Sequence, residues 1–146
     1  MGRILLIDGD PGERLILRSR LTESGHEMLV AESGAKGLAE ARAGSAELVL
    51  LSTDLGGGVD GAEVCRRLKA TPGLNRMPVV VYSHTPASNK VTERMYDAGC
   101  DVFVSRAQLP HLDRIIEVHL RVKMQGDGLS DQNRVLEREN RRLEEE

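Results

Sequence analysis

Ile4-Leu5-Leu6-Ile7-Asp8-Gly9-Asp10-Pro11 turns from strand to helix within eight residues. Its four aliphatic residues form a short apolar run of the kind buried inside a sheet. Asp10 is placed to cap a following helix, and Pro11 suits the first helical position. The expected helix is Pro11–Ser24, with Leu15, Leu17 and Leu21 as core candidates and Gly25 as its stop. The same alternation recurs down the chain. Apolar runs at Met28–Ala31, Leu48–Leu51, Val79–Tyr82 and Val102–Val104 alternate with helix-period stretches at Gly34–Ala43 (ended by Gly44), Gly61–Ala70, Ala87–Ala98 and Gln108–Met124. A strand–helix unit repeated five times predicts an α/β fold, a doubly wound five-stranded parallel sheet with helices on both faces. Right-handed crossovers leave few topologies, and the order 2-1-3-4-5 suits five strands.

Composition narrows the function. The chain has 146 residues, 20 Lys+Arg against 23 Asp+Glu, a net charge of −3, and only three aromatics: Tyr82, Tyr96 and Phe103. The length suits one domain with a short appendage, and the core must be aliphatic. Aromatic platforms for single-stranded nucleic acid need more rings, and a mildly acidic chain binds phosphate backbones poorly, so no nucleic-acid partner is expected. Cys65 and Cys100 form no CxxC pair and read as buried thiols in a reducing cytoplasm. The opening apolar run is too short for a signal peptide, and no stretch approaches the ~20 apolar residues of a membrane span. Leu6 stands where a myristoylation start needs Ser or Thr.

The domain is expected to occupy residues 1–124, with a hinge at 125–128 around Gly126-Asp127-Gly128. Beyond it, Leu129, Leu136 and Leu143 stand seven apart, with Asn133 and Asn140 at the alternate seam positions. That pattern predicts the start of a coiled coil over 129–146, pairing as a parallel homodimer. The terminal charge run is read as leading into further chain.

In such a fold, ligands bind outside the carboxyl ends of the strands. The residues there are Asp8-Gly9-Asp10, then Ser52-Thr53-Asp54 with Gly56-Gly57-Gly58, then Ser83-His84, then Ser105-Arg106. A hard cation at Asp8 and an anion met by Ser83 and Arg106 would suit this set.

Four segments together make Arg3–Lys123 resemble a response-regulator receiver domain, the chemotaxis-type (CheY-like) phosphoacceptor module of flavodoxin-like fold. They are Ile4–Pro11; Leu48–Ser52 running on to Asp60-Gly61-Ala-Glu-Val-Cys-Arg-Arg-Leu68; Met77-Pro78 to Ser83; and Ala98-Gly99-Cys-Asp101-Val-Phe103-Val-Ser-Arg106. The resemblance implies an acceptor at the end of strand three, Mg²⁺ held by two acids after strand one, a hydroxyl ending strand four and a Lys ending strand five. Asp8 matches the first acid, Ser83 the hydroxyl and Phe103 the aromatic switch position. The departures are more informative. Ser52 holds the acceptor position, and serine is a weak nucleophile without an adjacent base. Gly9 replaces the second acid, Arg106 the Lys, and Ala107 the Pro that follows it. The loop after strand three is one residue longer and carries three glycines. Asp8 is left as the one matched carboxylate, with Asp10 able to swing in, so Mg²⁺ is expected weakly if at all and no other cofactor is expected. Asp54 is the alternative acceptor if the loop register slips.

The remaining residues have plain structural readings. His26, His84, His111 and His119 are not at metal spacing, although the last two share one expected helix. Tyr82 reads as a packed strand residue, Asp60-Gly61 as a helix cap, and Arg18, Arg20, Arg66 and Arg67 as solvated helix charges. No Gly-x-Ser-x-Gly elbow or flavin phosphate loop supports an enzyme. The reading is a pseudo-receiver similar to FrzS-type gliding-motility and polarity proteins. It would dock a protein through the helix 4–strand 5–helix 5 face, roughly Ala87–Val122, and dimerise through its tail. The alternative is a phosphorylation-responsive regulator whose tail relays to a further output domain.

Overall fold

Strands β1 (Arg3–Ile7), β2 (Glu27–Ala31), β3 (Leu48–Ser52), β4 (Val79–Tyr82) and β5 (Val102–Val104) pair side by side, all parallel, in the order β2-β1-β3-β4-β5. The computed structural model describes residues 2–53, 55, 59–83 and 88–128, with backbone alone over 122–128. The expected fold and strand order are observed. β3 and β4 are buried along their whole length, because helices cover both faces of the sheet.

Successive strand residues alternate between two apolar layers. Leu5, Ile7, Val49, Leu51, Val79, Val81 and Phe103 face one layer, with side chains from α2 (Gly34–Arg42), α3 (Gly61–Ala70) and α4 (Asn89–Asp97). Ile4, Leu6, Leu48, Leu50, Val80, Tyr82 and Val104 face the other, with α1 (Pro11–Glu23) and α5 (Leu112–Gly128). Cys65 and Cys100 lie unbridged in the first layer, where burial pushes their thiols up to about 11 and about 12. Such thiols stay protonated and unreactive, in keeping with the sequence reading.

The helix ends follow their caps. Asp10 accepts from the amides of Gly12 and Glu13, and Asp60 accepts from that of Glu63 at 2.8 Å. Gly25 and Gly44 adopt φ of 95° and 87° as the chain leaves α1 and α2. Three expectations need correction. Leu15 is not a core residue: it is 64% exposed, as is Ile16 at 60%, while Leu17 and Leu21 are buried. At 3.6 residues per turn, position 15 lies across the helix from 17 and 21. Helix four begins at Asn89 on a Ser88 cap, and Ala87 lies outside the described residues. Helix five is split into a 3-10 helix, Arg106–His111, and then α5, because Pro110 has no amide to continue an α-helical ladder. His111 and His119 therefore stand on different helices. The backbone of Gly126-Asp127-Gly128 is helical within α5, and the expected coiled coil at 129–146 lies outside the described residues.

Ion pairs tie the layers laterally. Arg20 joins α1 to Asp113 at 3.0 Å, Arg94 of α4 reaches the α3 cap Asp60 at 2.5 Å, and Lys69 of α3 meets Asp101 ahead of β5 at 2.8 Å. α2 sits close to the sheet at Gly37 and close to α3 at Gly34. A Cβ on Gly37 would stand 2.3 Å from Ile7 Cδ1, and one on Gly34 would stand 2.8 Å from Val64 Cγ2. Gly37→Ala should therefore lower the urea midpoint. Overpacking costs about 1–3 kcal/mol, against a gain of about 1 kcal/mol from helix propensity. Adding Ile7→Val should recover part of the loss.

His26 is buried and its Nδ1 accepts the Gly2 amide at 3.1 Å. Burial, then the positive amino terminus, holds its pKa below the ordinary 6.5, against weaker pulls from Glu117 and Asp113. The unfolded chain binds the proton more readily, so this contribution is complete above pH 6.5 and is lost as pH falls below it. Urea melts should show stability falling below that pH, and His26→Gln should flatten this part of the profile.

Candidate functional site

The strand ends build a pocket by parity and register. β1, β3 and β4 present their even-numbered residues to the α1/α5 layer. Ser52 pairs with Tyr82, Ile7 pairs with Leu51, and Asp8 follows Ile7. Asp8, Ser52 and Tyr82 thus meet on one side of the sheet, and none of them has exposed surface.

Asp8 is held from several directions. Its Oδ1 accepts the Asp10 amide at 2.9 Å, and its Oδ2 accepts the Tyr82 hydroxyl at 2.5 Å. Its carbonyl accepts from Arg14 Nη1 at 2.8 Å. The Ser52 hydroxyl is hydrogen-bonded to the same Tyr82 phenol. A carboxylate without water is costly unless hydrogen-bonded, and charge-assisted bonds are the strong ones. Burial first, and then the hydrogen bond to Asp8, push the Tyr82 phenol far above its ordinary 10.0. The phenol therefore stays protonated and remains a donor. Sequence reasoning treated Tyr82 as packing alone. The ring does pack among Val80, Val104 and Leu112, but the hydroxyl enters the pocket. Alternation within β4 could have turned Tyr82 to the same side as Val80, but the register that brings it to Asp8 is not a local pattern.

The other candidates are distributed differently. Asp10 is exposed, and its Oδ1 caps α1 with bonds to Gly12 and Glu13 at 2.9 and 3.3 Å. Ser83 is buried, with its amide donating to the Val104 carbonyl. Phe103 is buried in the α2–α4 layer, and its amide donates to the Tyr96 hydroxyl at 3.1 Å. Arg106 is exposed at the start of the 3-10 helix and makes no ion pair among the described residues. Asp54 and His84 lie outside the described residues.

This donor set does not fit the Mg²⁺ that receivers use. Asp8 meets Ser52 and Tyr82 with both its oxygens already accepting hydrogen bonds, the charge of Glu13 is also felt at Tyr82, and Asp10 is committed to a cap. No group of three or more His, Cys, Asp or Glu is arranged for a metal among the described residues. An octahedral shell of hard oxygens has little to build on here.

Comparison with known proteins places the chain in a family. The profile of the response regulator receiver domain matches residues 4–117, and the chain belongs to that family. It is a receiver domain of two-component signalling. It is 30% identical over 107 residues to the gliding motility regulatory protein of Myxococcus xanthus, covering 73% of this chain and 14% of that one. It is 31% identical over 121 residues to the transcriptional regulatory protein AfsQ1 of Streptomyces coelicolor, covering 83% and 50%. The chain thus spans half or less of these two relatives. The crystal structure of a putative response regulator from Chloroflexus aurantiacus superposes with a TM-score of 0.76 at 20% identity, over 82% of this chain and 98% of that one, a likeness of fold.

Removing the phenol hydroxyl while keeping the ring tests the pocket's energetics. Tyr82→Phe leaves a buried carboxylate oxygen without its donor and should destabilise the fold by about 1–3 kcal/mol. Urea denaturation measures the loss, and Asp8→Asn in the Phe background should return part of it.

Proposed function

We propose that this receiver works without aspartyl phosphorylation, as a protein-interaction and targeting module and not as an enzyme. The observation that carries the reading is Ser52 at the position of the acceptor, fully buried and bonded to a phenol that also occupies Asp8. A serine hydroxyl needs a base to act as a nucleophile, and Asp8 already accepts the phenol to which Ser52 is bonded. Asp8 and Asp10 are remnants of the acid pocket, Ser83 and Phe103 are the switch-position residues, and Arg106 stands for the lysine. No cofactor is needed for this role, and the protein is cytoplasmic in this reading. Among the described residues, no helix is long and apolar enough to cross a membrane.

The docking surface is the face built from α4, β5 and α5. It exposes Val91, Tyr96 and Val118, three large apolar side chains set among charged neighbours. Apolar anchors with a polar surround are what a protein partner uses. Residues 129–146 would pair two copies in parallel, presenting two such faces together.

Backbone NMR with Mg²⁺ and beryllofluoride decides between this reading and the phosphorylation-responsive alternative. Spectra should stay unchanged at Ser83 and Phe103, whereas saturable shifts there would overturn the proposal. The tail is tested by the solution mass of residues 1–146 against 1–124. The longer chain should be dimeric and the shorter monomeric, and two monomers at high concentration would rule out pairing through 129–146.

A further inference from the structure

We propose that Tyr82 is the residue that closes the strand-end pocket to divalent cations. The inference rests on the reading that this pocket takes no phosphoryl group, and it assigns that property to one side chain. A cation on Asp8 would have to share a carboxylate whose Oδ1 already accepts the Asp10 amide and whose Oδ2 accepts the Tyr82 hydroxyl at 2.5 Å. A water in that place would be displaced readily, because it would leave as a free molecule. The phenol cannot leave in that way. Its ring is locked in the apolar layer with Val80, Val104, Leu112 and Ile116, and its Cα is fixed by the β3–β4 ladder opposite Ser52. Moving the hydroxyl aside means moving a buried ring out of a close-packed layer. The phenol also supplies in part what a cation supplies, a positive end directed at a buried carboxylate. The pocket therefore has a donor dipole built in where a cation would bring a full charge, and that dipole is fixed in place. The Ser52 hydroxyl on the same phenol completes the arrangement.

Replacing Tyr82 by a small apolar residue should then expose oxygens that a hard cation can use. These are Asp8 Oδ2, the Ser52 hydroxyl and entering water. One carboxylate supports only weak binding, so the expected gain is a site in the millimolar range.

The experiment is titration of the full chain with Mn²⁺ alone, read as selective broadening of backbone amide signals. Wild type should show no saturable broadening at Asp8, Gly9, Ser52 or Thr53. Tyr82→Val should broaden these signals saturably, and Asp8→Asn in that background should abolish the broadening. Tyr82→Leu fills more of the space and guards against a Val variant that folds poorly. Its melting temperature should rise with Mn²⁺, and that of wild type should not. Equal selective broadening in wild type and Tyr82→Val would overturn the proposal, as would folded Val and Leu variants that bind no better than wild type. The beryllofluoride response of wild type is a separate readout. If wild type ignores beryllofluoride and the variants still gain no cation, the inference about Tyr82 falls and the reading of the domain's function stands.

Discussion

A carboxylate with no exposed surface needs donors, and in this protein the phenol of Tyr82 joins the Asp10 amide in that role. Much of the strand-end architecture follows from that one hydrogen bond. It links the ends of β1 and β4, which are not neighbours in the sheet, across the intervening β3. It engages Ser52 on the way. It also sets the chemical character of the pocket, since the carboxylate and the serine hydroxyl both meet a protonated phenol there. Arg14 and the Asp10 amide secure the same residue from the α1 side, so the turn from β1 into α1 is held by the pocket as well as by its own cap.

The fold was largely legible in the sequence because its elements are defined by short-range patterns. Each strand is a short apolar run, and each helix carries its own punctuation. Asp10 and Asp60 cap starts and Gly25 and Gly44 mark ends, whereas the Ser88 cap went unread and helix four was expected from Ala87. α3 and β4 have the bounds the pattern predicts. The failures have equally physical causes. Leu15 is apolar but lies on the wrong side of its helix. Pro110 divides a segment whose hydrophobic period runs on past it.

The site was legible in its positions but not in its contacts. Asp8, Ser52 and Ser83 could be placed at strand ends by reading run lengths, and all three are buried there. That Tyr82 reaches Asp8 depends on a hydrogen bond between residues 74 apart in the chain. Such a contact is set by register between strands, and local patterns carry no register. The roles of Asp10 and Arg106 were obscured for a related reason. Sequence position brings both close to the pocket, but Asp10's carboxylate turns to its own helix and Arg106 stands at the exposed start of the next.

The Tyr96 hydroxyl has a consequence for how the sheet meets its surroundings. β5 is the last strand of the sheet, and its residue Val104 directs its carbonyl inward to Ser83. Phe103, one residue earlier, directs its amide outward, where an unpaired edge would invite another strand. Tyr96 accepts that amide, so a helix side chain takes the place of the missing neighbour. At Phe103 the edge of the sheet is thereby closed to strand addition. A partner docking on this side, as proposed, would meet rings and side chains, which favour selective contacts over the generic adhesion of one backbone to another.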